Sequence, residues 1–67
     1  MAVVKVIEVI AQSPKSWEDA AQQALTEVTA SVRNVQSIYI QDLQAIVEEN
    51  KILEYRVNAK VSFLVDK

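Results

Sequence analysis

Cysteine and histidine are both missing from this chain of 67 residues. Without them the protein cannot form disulfide bonds, and it cannot build zinc, haem or iron–sulfur sites that need thiolate or imidazole ligands. The usual general base at neutral pH and the usual thiol nucleophile are missing as well. We therefore predict that the protein is not an enzyme.

Glycine is also absent, and Pro14 is the single proline. A chain without glycine cannot contain a phosphate-binding loop, a G-x-S-x-G nucleophile turn or a G-x-G-x-x-G dinucleotide motif. Positions that need a positive φ must use other residues. The sequence offers Asn34 and Asn50 for this purpose.

No excess of basic residues and no long apolar run is present. Seven Lys and Arg stand against nine Asp and Glu, giving a net charge of −2, so electrostatics do not favour a nucleic-acid partner. No apolar run approaches the roughly 18 residues that span a bilayer. The N-terminus, Met-Ala-Val-Val-Lys, lacks the features of a signal peptide. These observations predict a cytoplasmic protein with no nucleic-acid or membrane partner.

The hydrophobic content is 51%, which is high for so short a chain. We predict a single domain over residues 1–67. Domains of this size are marginally stable unless disulfides, metals or oligomerisation add to the core. Because disulfide bonds and metal sites with thiolate or imidazole ligands are excluded, we expect a homo-oligomer.

A helix is predicted from Ser16 to about Arg33. Its apolar residues recur at i, i+3, i+4, i+7, i+8, i+11 and i+15, which is one stripe along a helix; they are Trp17, Ala20, Ala21, Ala24, Leu25, Val28 and Val32. Ser16 is expected to cap the first turn, with Asp19 as a capping-box acid. Trp17 lies on the stripe and is read as a core or interface anchor, in preference to a ligand-stacking residue.

Three strands are predicted, at Val3–Ala11, Val35–Val47 and Ile52–Val65, with Asp66 and Lys67 as a short tail. A slip in the apolar period predicts a bulge near Gln41 and Asp42. A helix between the first two strands and a tight turn before the third favour the sheet order 1-3-2. The fold class is therefore α+β, a β-α-β-β chain whose three-stranded antiparallel sheet packs on one helix.

The turn between the last two strands, Glu48-Glu49-Asn50-Lys51, is the weak candidate for a metal site. The carboxylates of Glu48 and Glu49 could hold a hard cation such as Ca²⁺, especially where several copies meet. A solvated turn is the simpler interpretation. Counting back from this turn places residue 42 or 43 near Arg56, so Asp42 and Arg56 are expected to pair across the hairpin.

Three segments together resemble the dodecin family. They are the opening Val-x-Lys-Val-Ile-Glu, the Ser13-Pro14-x-Ser16-Trp17-Glu18-x-Ala20-Ala21 helix start, and the closing Tyr55-x-Val57-x-Ala59-x-Val61-Ser62-Phe63 strand. The resemblance covers nearly the whole chain. It implies a β-α-β-β subunit and a hollow homododecamer that binds or stores a small ligand.

Flavin-binding members of that family stack riboflavin or its nucleotides on a tryptophan of the second strand and bond it to a glutamine of the third. The resemblance places Ser37 and Arg56 at these positions and Asp42 near the same pocket. Because both key residues are replaced, flavin binding is expected to be weak or absent. The helix start and the Tyr55-Arg56 pair resemble the calcium-dodecin branch, which implies Ca²⁺ binding without identifying its ligands. The alternatives are a flavin-storage dodecin with an altered pocket and a structural oligomer with a protein partner.

Overall fold

The computed structural model describes residues 2–65, and the predicted tail, Asp66 and Lys67, lies outside them. The order of elements is β1 (Val3–Ser13), α1 (Trp17–Thr29), β2 (Val35–Glu48) and β3 (Lys51–Val65). β3 is the central strand and pairs antiparallel with both neighbours, so the sheet order is β1-β3-β2. The predicted α+β fold and sheet order are confirmed.

The helix is fixed to the sheet by a narrow row of small side chains. Ala20, Ala24 and Val28 are buried and spaced four residues apart. They face Val57, Ala59 and Val61 of β3, which are at most 1% exposed and complete the core. Because these side chains are small, the helix can approach the central strand closely. The predicted apolar stripe is confirmed for these three helix residues, which are the buried ones.

The helix starts as predicted but ends about four residues earlier. The Ser16 hydroxyl accepts a hydrogen bond from the Asp19 amide at 2.9 Å and caps the first turn. At the other end, the amides of Ser31 and Val32 both donate to the Val28 carbonyl, at 3.1 and 2.8 Å. These bonds close the last turn, and Asn34 then reverses the chain at φ 62°. The predicted extension to Arg33 is wrong.

The sheet is much longer than the helix. Thirteen helical residues span about 20 Å, whereas the molecule is 51 Å long. β1 pairs with β3 only as far as Ser13 opposite Tyr55. Beyond that pair β2 and β3 continue alone, and we call residues 46–54 the hairpin arm.

The hairpin turns at Glu49 and Asn50, whose φ angles are 52° and 65°. Two successive positive φ angles match the two-residue turn that suits the twist of a hairpin. The positive φ of Asn50 was predicted, whereas that of Glu49 was not. The pairing skips Gln41, which confirms the predicted bulge, and two further irregularities leave Gln36 and Leu53 unpaired.

Candidate functional site

The face of the sheet turned away from the helix carries the predicted ligand positions. On β3 its residues alternate with the buried Val57, Ala59 and Val61. We call it the outer face. Its β3 members are Arg56, Asn58, Lys60 and Ser62; the register adds Val6, Glu8, Ile10 and Gln12 from β1 and Ser37, Tyr39, Asp42 and Gln44 from β2.

Ser37 lies opposite Ser62, and their hydroxyl oxygens are 2.6 Å apart. Each hydroxyl therefore already has a hydrogen-bond partner. A serine has no aromatic ring on which a planar ligand could stack. This position therefore offers a small polar surface and no stacking platform.

Arg56 is engaged with β1. Its Nε donates to Oε1 of Gln12 at 2.9 Å. The residue opposite it on β2 is Gln44, so the predicted register is wrong by at least one residue. The cause is Leu53, an extra residue in β3 that shifts by one the pairs from Ile46–Glu54 to Asp42–Asn58, until the bulge at Gln41 restores the register.

Asp42 lies opposite Asn58, two residues along β3 from Arg56. Such diagonal neighbours are about 7–8 Å apart, which a long side chain can span, but the Nε of Arg56 donates to Gln12 on the other neighbouring strand. The Oδ1 atom of Asn58 is shielded from solvent and has no hydrogen-bond partner among residues 2–65. The acid and the arginine thus lie on one face without forming the predicted cross-strand pair.

The three predicted ligand positions do not meet within one chain. Ser37 pairs six residues along β3 from Arg56, a distance of about 20 Å at the usual rise of a strand. Within one chain, Ser37 and Arg56 therefore do not belong to one compact pocket.

Sequence reasoning missed Tyr39 on the same face. Its side chain is 64% exposed, and it lies opposite Lys60. The signal was available in the alternation along β2, since residues 37 and 39 must share a face. It is the one aromatic side chain that residues 2–65 present on the outer face, because Trp17, Tyr55 and Phe63 belong to the helix side.

The two metal candidates lie at the end of the hairpin arm. Glu48 is opposite Lys51, and Glu49 occupies the turn itself. Calcium takes six to eight oxygen ligands, but within residues 2–65 no group of three or more acidic side chains is placed to hold a metal. The turn of a single chain therefore does not fit a complete calcium site.

Trp17 joins the start of the helix to the far strand. Its indole N–H donates to the Gln44 carbonyl at 2.8 Å, and its ring meets the Tyr55 ring edge-on at a centroid distance of 4.8 Å. A cavity of about 280 Å³ adjoins it. We call it the Trp17 pocket; its lining is Trp17, Glu18, Ala21, Ile40, Leu43 and Val57.

A lowered pKa marks Asp19, near the same end of the helix. The Ser13 hydroxyl donates to the Asp19 carboxylate at 2.5 Å, and the Gln23 amide donates to the same oxygen at 2.7 Å. These two hydrogen bonds, with a smaller contribution from the charge of Lys15, lower the pKa of Asp19. The carboxylate thus joins strand to helix and does not close the predicted capping box on Ser16.

Within residues 2–65, no helix has the length and apolar character needed to cross a membrane.

Comparison with known proteins identifies relatives along nearly the whole chain. The family model described as Dodecin matches residues 3–66. Calcium dodecin of Mycobacterium tuberculosis (strain ATCC 25618 / H37Rv) is 35% identical over 63 residues, which are 94% of this chain and 89% of that protein.

Solved structures agree on the fold. The crystal structure of the calcium-chelating immunodominant antigen calcium dodecin of M. tuberculosis, described with a novel calcium-binding site, superposes with a TM-score of 0.84 at 33% identity. That match covers 96% of this chain and 91% of the other. A mutant of the T. thermophilus dodecin has a TM-score of 0.94 at 24% identity, with both chains fully covered, and this likeness concerns the fold alone.

Proposed function

The chain belongs to the dodecin family, and from this premise we propose that it is a non-catalytic, cytoplasmic protein that binds a small ligand or ion as a homo-oligomer. The dodecamer is the assembly we expect. Ca²⁺ is the first ligand to test, and flavin is the second. The observation that carries the proposal is the likeness to calcium dodecin over 94% of the chain.

The exposed area of the chain supports assembly. The isolated subunit exposes 5108 Å², whereas a compact monomer of 7.5 kDa exposes about 4,200 Å². The excess, roughly 900 Å², is close to the area of about 800 Å² that each partner buries in a standard interface. The outer face adds to this, because Val4, Val6 and Ile10 are all more than half exposed.

The likeness to calcium dodecin supports calcium binding, but the turn at Glu48–Lys51 of one chain offers too few oxygen ligands for a complete site. A single copy offers Glu48 and Glu49 with Lys51 beside them, so the remaining oxygen ligands must come from other copies or from water. We therefore propose that several copies build any Ca²⁺ site together. Each copy would supply at most two carboxylates, those of Glu48 and Glu49.

Weak or absent flavin binding is supported by the side chains of the outer face. Ser37 provides no ring, and Arg56 places a cation where the flavin-binding members have a neutral amide. The site we propose at Ser37, Asp42 and Arg56 is instead a polar surface shared between copies. A ligand with hydrogen-bonding groups suits it better than a large planar ring does.

Native mass spectrometry combined with calorimetry tests the assembly and the ion. We expect chelator-treated protein to remain a homo-oligomer and to release or take up heat when Ca²⁺ is added. Glu48→Gln together with Glu49→Gln should weaken that binding. Glu27→Lys, at an exposed helix position outside the Trp17 pocket, changes the net charge by the same amount and serves as the charge-matched control. A monomer of 7.5 kDa as the main species would contradict the proposed homo-oligomer. The absence of any heat change on addition of Ca²⁺ would contradict the proposed calcium binding.

Riboflavin titration tests the flavin part. We expect no submicromolar quenching of riboflavin fluorescence by the purified protein. Ser37→Trp combined with Arg56→Gln should restore a stacking ring and a neutral partner, and should tighten binding by about tenfold to hundredfold, the usual value of one aromatic stack. Tight binding by the unchanged protein would favour the flavin-storage alternative.

A further inference from the structure

The hairpin arm exposes apolar side chains that no other part of residues 2–65 covers. Val47 is 60% exposed, Ile52 53% and Leu53 46%. Val47 and Ile52 lie opposite one another, and the alternation along β2 places them on the same side as Leu43 and Ala45, which is the helix side. The helix begins only at Trp17 and β1 ends at Ser13, so neither element reaches the arm.

The Trp17 pocket is a concave apolar surface on the same side of the sheet. Ala21, Ile40 and Val57 contribute apolar walls, and Leu43, at 57% exposure, forms part of the rim. The hydrogen bond to Gln44 and the contact with Tyr55 hold the indole in place. The pocket is therefore already shaped within a single chain.

The arm cannot fill the pocket of its own chain. Ile52 and Val57 belong to the same extended strand, and five residues of strand separate them by about 16 Å. The pocket also has room for side chains from outside. An apolar cavity of about 150 Å³ accepts a benzene ring, and this one measures about 280 Å³.

We propose that the hairpin arm of one copy docks in the Trp17 pocket of a second copy, with Ile52 and Leu53 as the inserted side chains. This inference rests on the homo-oligomer proposed above and assigns the contact that builds it. Two observations favour a second copy as the occupant. The exposed side chains and the pocket are both apolar and belong to the same chain, and the subunit exposes roughly 900 Å² more than a compact monomer would.

Cysteine cross-linking provides a direct test, because the chain has no cysteine of its own. We would introduce Leu53→Cys in one variant and Ala21→Cys in another, refold them together and oxidise them gently. The expected product is a covalent heterodimer that contains one copy of each variant, in greater yield than either homodimer. The matched control replaces Leu53→Cys with Thr26→Cys, at an exposed helix position outside both the Trp17 pocket and the outer face; this pair should give no such enrichment.

Native mass spectrometry of the same samples separates the two proposals. An oligomer without the enriched heterodimer overturns the docking of the arm and leaves the homo-oligomer intact. The absence of any oligomer overturns both.

Trp17 supplies a second measurement, since it is the only tryptophan in the chain. Leu53→Glu should break the assembly and shift the Trp17 emission to longer wavelength, as water enters the vacated pocket. Thr26→Glu, at an exposed position on the helix, should leave that emission unchanged. If Leu53→Glu leaves the assembly and the emission as they were, a small apolar ligand or another segment fills the pocket, and the proposal is wrong.

Discussion

At the scale of single residues, the passage from β1 into the helix depends on a few hydroxyl and carboxylate groups. Ser13 is completely buried, and its hydroxyl donates to Asp19 while accepting from the Lys15 amide at 3.0 Å. Ser16 caps the helix in parallel with this contact. Together they fix the direction in which the chain leaves the sheet.

Removal of the Ser16 hydroxyl should destabilise the protein. Ser16→Ala leaves the Asp19 amide without its acceptor, and the loss of such a cap costs about 1 kcal/mol. Urea unfolding at a fixed protein concentration measures the change. Ser31→Ala, at an exposed position after the helix, is the control and should change the free energy of unfolding by less than about 0.5 kcal/mol.

Asp19 should make stability depend on pH at the acidic end. The pKa of its carboxyl is lowered in the folded protein, chiefly by the Ser13 hydroxyl and then by Gln23. A group whose folded pKa is depressed stabilises the fold above its unfolded pKa, which is 3.8 here. This contribution is lost as the pH falls through the lower, folded value.

Asp19→Asn should remove that acid-dependent loss, and urea unfolding between about pH 6 and about pH 3 measures it. The variant should lose less stability over this interval than the unchanged protein does. Glu18→Gln removes a carboxylate from the same helical turn without touching Ser13, and it serves as the control. Equal acid sensitivity of Asp19→Asn and the unchanged protein would show that the Ser13 contact does not set it.

The residue-scale expectations succeeded where the pattern is local. Ser16 and the buried row of the helix follow from the order of residues within a few turns. The role of Ser13 does not, because the first strand was predicted to end at Ala11. The structure extends β1 through Ser13 and buries that residue against Asp19. Only the packing of strand against helix reveals that contact.

At the scale of elements, the register of the hairpin shows what a sequence can and cannot specify. The bulge at Gln41 interrupts the alternation of apolar residues, so the sequence alone predicted it. The irregularity at Leu53 was not, because Ile52 and Leu53 are both apolar and either can pair with Val47. That single extra residue replaced the expected neighbour of Arg56 with Gln44.

The turn at the end of the arm carries a conformational cost that glycine would remove. Glu49 adopts φ 52°, and the left-handed region costs an ordinary L-residue about 1 kcal/mol or more. Glu49→Gly should therefore raise the free energy of unfolding by roughly 0.5–1 kcal/mol. The measurement is urea unfolding in the presence of a chelator, so that metal binding does not contribute.

Glu48→Gly is the matched control for this turn. Glu48 is the last residue of β2 and has no positive φ, so glycine there should be neutral or destabilising. If both glycine variants gained equal stability, the left-handed conformation of Glu49 would not be the cause.

At the scale of the whole molecule, the subunit is extended and incompletely buried. Its radius of gyration is 13.7 Å, against about 11 Å for a compact domain of this length. The elements and their order follow from patterning along one chain, so they could be predicted. The ligand site that we propose to be shared between copies could not, because Ser37 and Arg56 lie far apart in each copy and no sequence pattern states which copies meet.

If assembly supplies the missing burial, stability must depend on protein concentration. Association stabilises the folded subunit by mass action, since the unfolded chain does not take part. We expect the thermal midpoint to rise steadily when the concentration is increased about a hundredfold. A monomer that folds independently has a thermal midpoint that concentration does not change.

The same thermal scan on Leu53→Glu should show a lower midpoint and less dependence on concentration, because the substitution places a charge in the apolar contact. Thr26→Glu, at an exposed helix position outside both proposed contact surfaces, separates loss of this contact from a general effect of added charge.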